Sequence, residues 1–144
     1  MKESKINFYS ENEFILRDTD RFAKWIEQVI SSENKKLEEI NYIFCDDEYL
    51  LKLNVEFLNH DTYTDIITFN NNVGNILQGD IFISTERVKE NAETFSVNFE
   101  EELRRVLAHG ILHLCGYNDK TDEDSLIMRA REEEKMKLFH VEQL

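Results

Sequence analysis

The sequence predicts an α+β fold, a small mixed β-sheet of about four strands packed with about five helices. Three observations lead there. Short runs of β-branched and aromatic residues alternate with longer segments in which apolar residues recur at helical spacing. Helix-start patterns precede several of those longer segments. Proline is absent and there are only four glycines, so turn signals are few and well placed.

In order along the chain, Ile6-Asn7-Phe8-Tyr9 reads as a first strand. Asp20 to Ile30 reads as a helix, with Phe22, Trp25, Ile26 and Val29 on one stripe. Ile40 to Cys45 reads as a strand. Asp46 or Asp47 then caps a helix running to about Phe57. Tyr63 to Phe69 and Asp80 to Ser84 read as two further strands, and Thr85 to Ala92 as a helix. Asn98-Phe99-Glu100-Glu101 resembles a capping box. In the helix it opens, Phe99, Leu103, Val106, Leu107, Gly110 and Leu114 fall on one face, and Gly116 marks the stop. Thr121-Asp122-Glu123-Asp124 opens a last helix through Leu126, Ile127, Ala130 and Leu138.

The 144 residues, 1–144, read as a single domain, long enough to bury a core without covalent staples. Cys45 and Cys115 stand far apart and outside any CxxC pattern, which points to a reducing, cytoplasmic setting. No apolar run has the length of a membrane span. Seventeen basic side chains against thirty acidic ones give a net charge of −13, which disfavours long-range attraction to nucleic acid or anionic membrane. The acidic runs, Glu132-Glu133-Glu134 among them, read as solvated helix ends and faces.

One segment carries chemistry. His109 and His113 are four apart on a predicted helix, about 40° apart in rotation, so they share a face. Two imidazoles so placed can ligate one cation from one side. Gly116 lets the chain turn back, which makes Asp119 the candidate third ligand in an HxxxHxxGxxD pattern. The predicted fold thus carries a metal site on a C-terminal helix and the following loop. Three protein ligands leave a position open for water, the catalytic arrangement for zinc. The expected cofactor is one divalent ion, zinc first, with nickel or another first-row ion as alternatives. A solvated or packed HxxxH pair without metal is the plain alternative. Cys115 points off the histidine face and reads as a packed residue. His140 reads as solvated. No side chain is identified as general base; Asp65 and Asp80 are conceivable helpers.

The segment His109-Gly110-Ile111-Leu112-His113-Leu114-Cys115-Gly116-Tyr117 resembles the HGxLHLxGYDH signature of the YbeY family of metal-dependent endoribonucleases. Leu53-Asn54, Tyr63 to Phe69 and Gly79-Asp80-Ile81 resemble further segments of that family, in the same order. Met128 falls where the family carries a methionine in its last helix. The resemblance implies a single-strand-specific endoribonuclease of late rRNA 3′-end maturation and ribosome quality control. Its implied partners are precursor rRNA and the small ribosomal subunit or its proteins, with no membrane. His109 and His113 carry over directly. Asp119 stands where the family has its third histidine, and Asn118 where it has an acid. Leu58 stands where the family has an arginine thought to engage RNA phosphate; His60 is a nearby substitute candidate for that substrate contact.

Two other readings compete. HxxxHxxGxxD also resembles the zinc segment of metzincin metalloproteases, but the general-base glutamate expected after the first histidine is Gly110 here. A non-catalytic, metal-containing ribosome-assembly factor is the third.

Overall fold

The computed structural model describes residues 5–59 and 64–140. His60, and Tyr63 at the expected start of one strand, lie outside them. The elements are Ile6–Ser10 (β1), Thr19–Ser32 (α1), Lys36–Cys45 (β2), Asp47–Leu58 (α2), Ile66–Asn70 (β3), Ile76–Ser84 (β4), Thr85–Thr94 (α3), Phe99–Leu114 (α4) and Asp122–Leu138 (α5). The α+β expectation holds, with four strands and five helices among the described residues.

The sheet runs β1-β2-β4-β3. β1, β2 and β4 are parallel, and β3 is antiparallel to β4, so the sheet is mixed. Side chains alternate between its faces. Ile40, Tyr42, Phe44, Leu77, Ile81 and Ile83 join α1 and α4 in the main core. The other face carries a smaller cluster of Cys45, Leu50 and Ile67, where α2 covers the sheet. β2 and β4 reach back to Lys36 and Ile76, further than the sequence suggests. Lys36 and Leu37 pair with Ile76 and Leu77, beyond the point where β1 begins to pair. The extension buries Leu77 in the core, but the charged and polar residues around it, Lys36, Glu38, Glu39 and Gln78, break the apolar run.

α4 is the helix that positions the site. Asn98 Oδ1 accepts from the Glu101 amide at 2.8 Å and fixes its start. Leu103, Val106, Leu107, Ala108, Ile111, Leu112 and Leu114 are all buried. Removing each such large side chain from water contributes about 1.5–3 kcal/mol, so α4 is anchored by its packing rather than by propensity. Gly110 lets the helix lie close on the sheet. A Cβ there would stand 3.0 Å from Ile66 Cδ1 and from Ile81 Cγ2. The Tyr42 hydroxyl donates to the Leu107 carbonyl at 2.9 Å inside the core.

α5 closes the outer side of α4. Its start carries the full capping box of Thr121 and Asp124. Its buried residues are Met128, Glu132 and Lys135, while Leu126 and Ile127 are exposed. The reading of Glu132-Glu133-Glu134 as a solvated face is therefore corrected for Glu132, which is 4% exposed. Lys135 is buried with its Nζ 2.8 Å from a Glu33 oxygen and 2.8 Å from Ser32 Oγ. Cys45 and Cys115 are free thiols, and burial pushes both up to about 12. No described helix is long and apolar enough to cross a membrane.

Candidate metal centre

The end of α4 builds the site. Gly116 adopts a positive φ of 109°. The Tyr117 amide donates to the Leu112 carbonyl and the Gly116 amide to the His113 carbonyl, each at 3.0 Å. This is a Schellman closure, which favours glycine at that position. The Tyr117 hydroxyl donates to Glu33 at 2.8 Å and ties the following loop down. The chain then turns back and carries Asp119 over the two histidines.

His109 Nε2 and His113 Nε2 are 3.0 Å apart. Asp119 Oδ2 lies 3.5 Å from the first and 3.4 Å from the second. Ligand atoms bound at zinc–nitrogen and zinc–oxygen distances in a tetrahedral site stand about 3.3 Å from one another. The three atoms are thus spaced as a tetrahedral cation needs them. Among the described residues this is the group of His, Cys, Asp and Glu that can hold a metal ion.

Protonation supports the same reading. His113 Nδ1 is 3.0 Å from the Tyr117 carbonyl, so it must carry the proton and donate. His109 Nδ1 donates to Glu132 Oε2 at 2.6 Å. In their neutral forms both Nε2 atoms are therefore bare lone pairs, facing each other and a carboxylate. Such a cage calls for positive charge. Burial works against a proton on His109, but Glu132, Asp65 and Asp119 outweigh it and raise its pKa above the ordinary value. A proton and a metal ion compete for the same place. Imidazoles oriented by a carboxylate and a carbonyl are the usual outer shell of a metal site.

Glu132 is the neighbour of the cluster that the sequence did not reveal. Its Oε1 accepts from Arg105 Nη1 at 3.0 Å while Oε2 holds His109. Arg105 also pairs with Glu133. The available signal was spacing, since position 132 shares a helical face with Met128, Lys135 and Phe139.

Of the two conceivable helpers, Asp65 lies at the site and Asp80 does not. Asp65, His109, Asp119 and Glu132 line one cavity of about 300 Å³, together with Phe95 and Arg129. Burial raises the Asp65 carboxyl above its ordinary range, and neighbouring His109 partly offsets this. Asp80 alternates with Ile81 and so points to the opposite face of the sheet, where Asn41 Nδ2 donates to it at 3.0 Å. Leu58 is partly exposed at the end of α2 and offers no charge.

Residues 5–140 match the family model described as Endoribonuclease YbeY. A protein of that name from Christiangramia forsetii is 60% identical over 143 residues, covering 99% of this chain and 100% of its own. Another from Flavobacterium johnsoniae is 62% identical over 138 residues, covering 96% of this chain and 99% of its own. The solution structure of TM1509 from Thermotoga maritima superimposes with a TM-score of 0.67 at 27% identity, covering 93% of this chain and 88% of that one.

Proposed function

Because the chain belongs to the endoribonuclease YbeY family, we propose that its phosphodiester hydrolysis takes place at the His109–His113–Asp119 cluster. The chain is an endoribonuclease, a hydrolase acting on RNA. The observation that carries the placement is the trio of mutually facing acceptor atoms, 3.0 to 3.5 Å apart, with no proton donor among them in the neutral state. The ion is zinc, with nickel or another first-row ion able to use the same nitrogen and oxygen donors. Bound there, it supplies Lewis acidity toward a phosphoryl oxygen and lowers the pKa of water.

The chain's own residues do the rest. His109, His113 and Asp119 hold the cation. Glu132 and the Tyr117 carbonyl fix the imidazole tautomers. Asp65, on the wall of the same cavity, is placed to accept a proton at its carboxylate from an attacking water. Gly110 carries no side chain and is closed in by Ile66 and Ile81, so the residue after the first histidine cannot serve as the base of a peptidase. The substrate is single-stranded RNA in late rRNA 3′-end maturation and ribosome quality control. The small ribosomal subunit or its proteins supply the positioning, and the work is done in the cytoplasm by residues 1–144 acting as one domain.

The test is cleavage of a labelled precursor rRNA, free and inside small-subunit particles, with and without chelator. Cleavage is expected to need metal, to vanish in His113→Ala, and to speed up in the particle. Equal cleavage by wild type and His113→Ala refutes the reading, as does peptide hydrolysis that is lost in His113→Ala.

A further inference from the structure

The cavity beside the metal cluster has a second wall that the ligands do not use. Phe95, which ends α3, and Arg129, on α5, form part of its lining. Phe95 is 52% exposed. A large aromatic ring left in water at the edge of a polar cavity calls for an explanation, and its backbone is firmly held. The Phe95 amide donates to the Asn91 carbonyl at 2.9 Å, and the Val97 amide to the Ala92 carbonyl at 3.0 Å. Between them Ser96 takes a left-handed φ of 58°, a conformation uncommon for residues other than glycine. The turn thus holds the backbone that carries the ring.

Arg129 lies over that ring, its Cζ 5.7 Å from the centroid. It is exposed, and among the described residues no carboxylate oxygen lies within ion-pair distance of it, although its charge acts on Glu102 and Glu133. The other arginine of the cavity, Arg105, is committed to Glu132 and Glu133. Arg87 and Arg131 are likewise paired, with Asp47 and Glu134. In a chain of net charge −13, Arg129 is a guanidinium without a direct carboxylate contact on the wall of the cavity that His109 and Asp119 share.

We propose that Phe95 and Arg129 form a nucleotide subsite next to the cleavage centre. Arg129 binds a backbone phosphate of the RNA strand, and a neighbouring base stacks on Phe95. The chemistry suits a single strand, because an unpaired base can offer its face to an aromatic ring, whereas a paired base is already stacked. The subsite also supplies, from α5, the positive charge that Leu58 does not supply from α2. This inference rests on the endoribonuclease reading above, and its test is arranged so that the two fail separately.

The test measures binding of a fluorescent single-stranded RNA by anisotropy, in chelator so that nothing is cut, across a series of salt concentrations. Arg129→Ala, Phe95→Ala and the charge-matched control Lys89→Ala, on the exposed side of α3, are compared with wild type. Loss of one stacked base is expected to weaken binding roughly 5- to 150-fold in Phe95→Ala, with the salt dependence unchanged. Arg129→Ala is expected to weaken binding and to lower the slope of log affinity against log salt by about 0.7, the share of one phosphate on a single strand. Lys89→Ala is expected to do neither. Arg129→Ala matching Lys89→Ala, Phe95→Ala matching wild type, or a wild type that binds no RNA each overturns the subsite. Chelator-sensitive cleavage by wild type, measured alongside, decides the catalytic reading independently: cleavage without any effect of these variants removes the subsite and keeps the nuclease.

Discussion

Glu132→Gln tests the metal centre from one step outside it. The carboxylate accepts from two donors, His109 Nδ1 at 2.6 Å and Arg105 Nη1 at 3.0 Å. A glutamine of the same shape has one oxygen to accept with, and its amide nitrogen only donates. If the oxygen faces His109, the amide confronts Arg105, donor against donor. If it faces Arg105, the amide drives the proton of His109 from Nδ1 to Nε2, and the lone pair intended for the metal is lost. The first arrangement leaves a buried donor unpaired, at a cost of about 1–3 kcal/mol in stability; the second keeps every donor paired but puts a proton where the cation would bind. Loss of a hydrogen-bonded outer partner typically weakens metal binding 10- to 100-fold, about 1.4–2.8 kcal/mol at 1.4 kcal/mol per tenfold. Zinc affinity measured by competition with a chromophoric chelator should fall by that factor, with one site per chain retained. A zinc affinity within twofold of wild type would refute the reasoning, because the His109–Glu132 hydrogen bond would then not set the ligand's tautomer.

Three further outcomes are expected. His109→Ala or His113→Ala should abolish stoichiometric metal binding by elemental analysis, Asp119→Ala should weaken it, and Asp119→His should restore or tighten it; unchanged affinity in Asp119→Ala would remove Asp119 from the site. Gly79→Ala should destabilise the protein in urea by about 1–3 kcal/mol or more, because its Cβ would stand 2.4 Å from the Phe69 carbonyl oxygen. Burial disfavours the Lys135 ammonium, but its hydrogen bonds to Glu33 and Glu134 prevail and raise its pKa above the ordinary value; its contribution is thus present below the unfolded pKa of about 10.4 and lost as pH rises through the folded value. Unfolding free energy should therefore fall more steeply above pH ~10 in wild type than in Lys135→Met, and parallel curves would argue against the pairing.

Periodicity and caps made most elements legible. Asp46, Asn98 and Thr121 each cap a helix where the sequence places one, because a side chain that satisfies an orphan amide is a local device. His109, His113 and Asp119 were legible for a related reason, since a helix repeat and one glycine turn fix their relation without help from the rest of the fold. Glu132 was not legible. Its partner is 23 residues away, and nothing local separates it from the exposed acids on either side. The Arg129–Phe95 pair was hidden in the same way, since it joins two helices that meet only in the folded chain. Asp65 and Asp80 looked equivalent as sequence; strand register sent one to the cavity and the other to the opposite face.

The bond between His109 and Glu132 ties the candidate metal centre to the last helix. The three candidate ligands all lie before α5, whereas the carboxylate that holds the first imidazole lies on it. Anything that lifts α5 from α4 therefore takes away the acceptor that holds the His109 ring.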